Sequence, residues 1–196
     1  MGSPVLITPA TAGLLDVASA KAHLRVTDNA EDGYIQQLID VATDAINGPS
    51  GLIGRAILTS TWRQALDEWP EYAEPIVLPL PPLQSVTSIT YVDQEGITQT
   101  LAPADYQLVN SGDLPSVIWP AYGKIWPTIR SQAAAITIQF VAGWTGPEKV
   151  PARIRQAALV MIGFWFDHRD ALGQVPDAAD HLLRPLMVDI GGRWVG

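Results

Sequence analysis

Ser85-Val86-Thr87-Ser88-Ile89-Thr90-Tyr91-Val92 is the stretch on which the fold turns. It is β-branched at Val86, Thr87, Ile89, Thr90 and Val92 and aromatic at Tyr91, so it suits a pleated surface better than a helix. Asp93-Gln94-Glu95-Gly96 supplies a turn, and Ile97 to Leu101 return as the hairpin partner. Working outward, short β pieces are expected at Thr61–Leu66, Ile76–Leu78, Tyr106–Val109, Val117–Trp119 and Ala135–Val141. In the last of these Ile136, Ile138 and Phe140 share one face. Sixteen prolines, concentrated around these pieces, break the chain too often for a bundle of helices throughout. The middle therefore reads as a largely antiparallel β unit with long Pro-rich loops.

Both flanks read as helix. Asp16 is an N-cap for Val17–Leu24, and Asp28 with Glu31 has capping-box spacing for a second helix. In that helix Tyr34, Ile35, Leu38, Ile39, Ala42, Ala45 and Ile46 recur at three and four, one apolar stripe along about five turns. Gly48-Pro49-Ser50-Gly51 ends it. After the β unit, Val150-Pro151 starts a long helix with Ile154, Ala157, Ala158, Met161, Phe164 and Trp165 in phase. Val160 and Ile162 widen its apolar surface, so it needs cover from the β unit or from another subunit. Two further turns are expected at Ala178–Arg184. The fold class is α+β: an N-terminal helix pair and a long C-terminal helix packed together, with a small, mainly antiparallel β unit inserted between them. The expected division is residues 1–58 plus 150–196 for the helical domain and 59–149 for the β unit.

Composition closes off several functions. The 196 residues are 47% hydrophobic and 16% charged, enough for one sizeable core or a core with a satellite. Without cysteine there is no disulfide scaffold, thiolate zinc site or cysteine nucleophile. A net charge of −8 lacks the basic face that holds nucleic acid. No stretch reaches the roughly 18 apolar residues of a membrane span, and Met1-Gly2-Ser3-Pro4 does not open a secretory signal. His23 has no carboxylate four residues away, and Asp167, His168, Asp170 and His181 match no ligand spacing. A G-x-S-x-G elbow is missing, and Gly51-Leu52-Ile53-Gly54-Arg55 lacks the Lys-Ser/Thr of a phosphate loop. The carboxylate pairs Asp67/Glu68 and Glu71/Glu74 sit beside Trp69-Pro70 and read as a solvated loop. No catalytic, cofactor-binding or metal-ligating residue is expected, and the chain is not expected to be an enzyme.

What remains is apolar surface: Trp62, Trp69, Trp119, Trp126, Phe164, Trp165, and a tail from Leu182 to Val188 with Trp194. The tail reads either as a docking segment or as packing on its own domain. Two rival functions stay open at this level. One is an unfamiliar enzyme centred near Asp167, His168 and His181; the other is a cytosolic binding module using a Trp-rich β surface.

An ordered series of short stretches carries a resemblance. They are Ala20-Lys21-Ala22-His23-Leu24-Arg25-Val26, Asp28 to Asp32, and Gly54-Arg55-Ala56-Ile57-Leu58 followed by Thr61-Trp62. Next come Leu78-Pro79-Leu80-Pro81-Pro82-Leu83-Gln84-Ser85-Val86, Tyr91-Val92-Asp93 with Gly96, and Val141-Ala142-Gly143-Trp144. The last is Val150-Pro151-Ala152-Arg153-Ile154-Arg155-Gln156-Ala157, running into Trp165 and Arg169. Together, over residues 14–170, they resemble the phage head–tail connector proteins of the gp6-like class, in particular the phage gp8-like family with a β insertion. All are packing and turn residues with no reactive group, as a scaffold would have.

The resemblance implies a virion protein of a phage, prophage or gene transfer agent, placed at the head–tail interface and assembled in the bacterial host cytoplasm. It implies a homo-oligomer ring, commonly twelve-fold, below the portal protein, facing a tail or stopper protein, with no cofactor and no membrane. Genome DNA would pass through the channel without specific binding, and an acidic wall suits that passage because it repels phosphate. The helices Asp16–Asn47 and Pro151–Arg169 would pack side by side between subunits, with Tyr34, Leu38, Arg155, Phe164, Trp165 and Arg169 as interface candidates. The β unit would project outward or toward the tail. Leu182, Leu183, Leu186, Met187 and Trp194 would dock on the portal, and deleting residues 180–196 would break that docking while sparing the fold.

Overall fold

The computed structural model describes residues 2–71 and 74–188, and the chain changes period where the sequence does. Strand β1 (Val5–Thr8) comes first, then helices α1 (Val17–Leu24) and α2 (Asp32–Ile46). The strands β2 (Ser60–Leu66), β3 (Ile76–Leu78), β4 (Leu83–Val92), β5 (Thr98–Thr100), β6 (Tyr106–Val109), β7 (Ser116–Pro120) and β8 (Ile136–Ala142) follow. Helices α3 (Ala152–Asp167) and α4 (Asp177–Leu183) close the described chain, with single 3-10 turns at Arg169–Ala171 and Arg184–Leu186. The α+β class is as expected.

Local chemistry sets the helix ends. The Ser19 N–H donates to Asp16 Oδ1 at 2.6 Å, so Asp16 caps α1, and Arg25 closes it with a left-handed φ of 60°. The capping box at Asp28 and Glu31 does not form. Asp28 instead accepts the Ala30 N–H at 2.9 Å in a turn, and α2 starts at Asp32, which pairs with Lys21 Nζ at 2.6 Å. Helix α2 is thus 15 residues long, about four turns.

The β region is two sheets where the sequence suggested one unit. β1-β2-β8-β4-β5 form a five-stranded sheet and β3-β7-β6 a three-stranded one, antiparallel at every pairing. β2 and β8 run in unbroken register with Trp62 opposite Phe140, both facing inward, and their outward residues alternate as a half-buried sheet requires. β1 was not expected. Residues of the first ten therefore join the sheet rather than the helices.

Two apolar clusters result. One gathers Leu14, Ile35, Leu38, Ile39, Ile154, Met161, Trp165 and Leu183 among α1–α4. The other gathers Trp62, Leu80, Ile89, Ile118, Ile138 and Phe140 among the strands. Each fully enclosed side chain of this size stabilises by roughly 1.5–3 kcal/mol relative to exposure. A seam of backbone bonds joins the clusters. Trp144 N–H donates to the Ile57 carbonyl at 3.2 Å, Thr59 N–H to that of Trp144 at 3.1 Å, and Gly48 N–H to that of Arg55 at 2.7 Å. Gly143, at φ +104°, lies so close to this seam that a Cβ would strike the Leu58 carbonyl.

Candidate assembly surfaces

The last described residues are pinned to the body by a buried arginine. Arg55, 5% exposed, donates from Nε to the Leu186 carbonyl at 2.6 Å and from Nη1 to that of Asp113 at 2.8 Å. Burial pushes its pKa down and the nearby Asp113 charge pushes it back up. The Val188 N–H adds a bond to the Ile53 carbonyl at 2.9 Å. The last described residue is therefore held beside Ile53. Of the tail residues named from sequence, Leu183 is fully buried among the helices, Leu182 and Leu186 are half-buried against them, and Met187 is 40% exposed. Trp194 lies outside the described residues. Leu183 is therefore a core residue, and deleting residues 180–196 would not spare the fold, because it removes part of α4.

The interface candidates divide the same way. Tyr34, Trp165 and Arg169 come together where the start of α2 meets the end of α3. Tyr34 Oη donates to the Trp165 carbonyl at 3.3 Å, the Arg169 guanidinium lies 4.4 Å from the Tyr34 ring centre, and its Nη2 reaches Glu31 at 3.3 Å. Phe164 stacks on His168 one turn away at 4.9 Å. Leu38 and Trp165 are enclosed by their own chain, and the Trp165 indole N–H is satisfied by the Gln174 carbonyl at 2.8 Å. These two side chains support the surface from beneath and have no atoms free for a neighbour. Arg155 sits half-buried in the first turns of α3, its Nε enclosed with no acceptor among the described residues.

Exposed apolar side chains lie elsewhere, and the sequence reading missed them. β1 carries Val5, Leu6 and Ile7 at the sheet's edge, Val5 at 51% exposure. A loop after β7 carries Tyr122, fully exposed, and Ile125, 84% exposed, beside Trp119. Their sequence signals are present but weak: short apolar groups between prolines, with no period. The described tryptophans divide between core and surface, with Trp119 exposed and Trp69, Trp126 and Trp144 half-buried. Trp62 is buried, and Trp69 stacks on Trp126 at 4.7 Å with Tyr91 against its edge. His23 lies along α1 against Gly163 of α3, and the His168 ring lies 3.1 Å from the Phe164 carbonyl through Nδ1, which donates to it. Among the described residues no three His, Cys, Asp or Glu side chains gather as a metal site would require, and no helix is long and apolar enough to cross a membrane.

A family model described as phage gp6-like head-tail connector protein matches residues 15–105, just under half of the chain. No curated protein matches the sequence. Among solved structures, a chain in the neck of an empty gene transfer agent particle, computed with C6 symmetry, is similar at a TM-score of 0.76. It is 24% identical, over 95% of this chain and 96% of that one. A chain in the virion of a native gene transfer agent particle is 25% identical with a TM-score of 0.75, over 94% and 95% of the two chains. A third, from the neck of the native particle computed with C12 symmetry, is 22% identical with a TM-score of 0.66. The resemblance drawn from the residues recurs in both the sequence and the structural comparison.

Proposed function

We propose that this chain, similar to gp6-like head–tail connectors in sequence and to neck chains of gene transfer agent particles in fold, is a structural virion protein at the head–tail interface. The observation that carries this reading is the likeness in fold, over 95% of this chain and 96% of the other, to a chain of such a neck. The surfaces support it. The described side chains are organised around packing, a tied segment after α4 and exposed apolar edges, the equipment of a part that fits between other parts.

In this reading copies of the chain form a ring beneath the portal and continue the DNA channel toward the tail. The C6 and C12 symmetries of the similar necks are compatible with such a ring. Tyr34, Phe164, Arg155 and Arg169 line the helical flanks offered to neighbouring subunits. Leu182, Leu186 and Met187, with Trp194 beyond them, form the segment that seats on the portal. The Tyr122 and Ile125 loop faces the tail or stopper protein. A net charge of −8 lets DNA pass without being held. No catalytic role is assigned.

The test is electron microscopy of particles from cells that carry either the full gene or one ending at residue 188. The full chain is expected as a ring below the portal. The shortened chain, which keeps all of α4, is expected to retain its melting temperature and to be missing from the neck. A shortened chain that still seats under the portal would overturn the part given to Trp194 and leave docking to Leu182, Leu186 and Met187; a full chain found anywhere but the neck would overturn the connector reading.

A further inference from the structure

Two features of the helical body carry charge that no ion pair among the described residues answers. A groove of about 280 Å³ runs between α2 and the segment after β1, with Leu6, Pro9, Ile57 and Leu58 as apolar lining and Asp40 and Asp44 along its rim. Asp40 accepts only the Gln36 side-chain amide, at 2.9 Å, and α2 has no basic residue. The other feature is the start of α3. Lys149 and Arg153 are exposed there, with the one acid Glu148 before them and Arg155 after, and the first turn holds no acidic residue. Cations at a helix N-terminus oppose the helix dipole, so a lone subunit gains nothing from placing them there. Ion pairs among the described residues join Lys21 to Asp32, Lys124 to Asp105, Arg169 to Glu31 and Arg184 to Asp180; Asp40, Asp44, Lys149 and Arg153 take part in none.

We propose that the acid-rimmed groove along α2 receives the basic start of α3 from a second copy of this chain. The inference rests on the connector reading and specifies the joint by which its ring is built. A ring needs a heterologous contact, two different patches on each copy that fit one another, and here the patches are opposite in sign. They also lie at one height. Tyr34 and Glu31 at the start of α2 touch Trp165 and Arg169 at the end of α3, so the two helices run antiparallel, with the last turns of α2 and the first turns of α3 at the same end. Rotation without translation brings one against the other when the helices stand along the ring axis. The groove's apolar lining takes the aliphatic stems of Lys149 and Arg153, while Asp40 and Asp44 meet their charged ends.

The test uses two full-length variants in the particle-producing cells: Asp40→Lys with Asp44→Lys, and Lys149→Glu with Arg153→Glu. All four positions are exposed, so both variants should keep the melting temperature of the unaltered chain; if either double variant unfolds, Asp44→Lys and Arg153→Glu make the same comparison singly. Each variant alone is expected to fall at least tenfold in purified particles. Produced together they should return to near the unaltered level, because alternating copies in an even-membered ring restore an acidic groove on a basic helix, or the reverse, at every joint. Either variant entering alone at the unaltered level, or the mixture staying out, would overturn the proposed joint and leave the connector reading standing. Absence of the unaltered chain from the particles would overturn both.

Discussion

Arg55 holds together three parts of the chain through two carbonyl oxygens, those of Leu186 and Asp113. Its charge is spread over these bonds in a nearly dry site, and removing it strands both acceptors. Arg55→Met should therefore cost about 2–4 kcal/mol, more than a neutral hydrogen bond would, because bonds to a charged group are the stronger kind. Chemical denaturation measures the loss, and the Val188 amide should exchange with solvent faster as the segment after α4 loosens. A variant as stable as the unaltered chain, with Val188 still protected, would show that the segment is held by other means. Arg55 stands in one of the stretches that carry the family resemblance, yet its role was not readable there. Its acceptors are backbone groups 131 and 58 residues away, and any residue type provides a carbonyl. Gly143 belongs to the same class: the sequence marks a loop, and only the structure shows the Leu58 carbonyl against which no Cβ fits.

At the scale of elements, capping and core contacts can be separated by pH and by position. Hydrogen bonds from the Ser19 side chain and then its backbone N–H hold the Asp16 carboxyl below its ordinary value of 3.8. A carboxyl whose pKa is lowered by folding stabilises the folded state above its unfolded pKa and stops doing so as pH falls through the folded one. Asp16→Ala should thus lower the melting temperature at neutral pH, and the gap to the unaltered chain should close below about pH 3.8; a gap that persists in acid would mean the cap acts without its charge. At the end of α4 and just past it the contrast is between two apolar side chains. Leu183→Ala removes an enclosed side chain and should cost about 2–5 kcal/mol, whereas Met187→Ser should leave stability nearly unchanged and deplete the protein from necks. Helices with one apolar stripe were legible because period and burial coincide: Ile35, Leu38, Ile39, Ala42 and Ile46 are both the pattern and the core. β1 has no such pattern. All four of its side chains are exposed, and it exists through backbone pairing to β2. The split into two sheets was hidden for a related reason, since β3 pairs with β7 across some forty residues and no local turn announces it.

For the whole molecule, the question is why an acidic protein leaves Tyr122 and Ile125 in water. Neither supports the fold: the loop that bears them is tied down by Ala121 N–H to the Asp105 carbonyl at 3.0 Å and by the Lys124–Asp105 pair at 3.2 Å, with both large side chains turned outward. A loop so fixed keeps an apolar tip presented at low ordering cost, which is what a contact made late in assembly requires. Composition could register the large apolar side chains but not which of them the cores would absorb. Trp62 and Trp165 vanish into the two clusters, and the tip is left over. If that tip meets the tail side, Tyr122→Ser with Ile125→Ser should leave the melting temperature and the seat beneath the portal unchanged while producing DNA-filled heads without tails. Negative-stain images would count the two kinds of particle. Tailed particles at the unaltered frequency would mean that the tip faces something other than the tail, and the apolar edge of β1, where Val5, Leu6 and Ile7 are exposed together, would then be the surface to alter next.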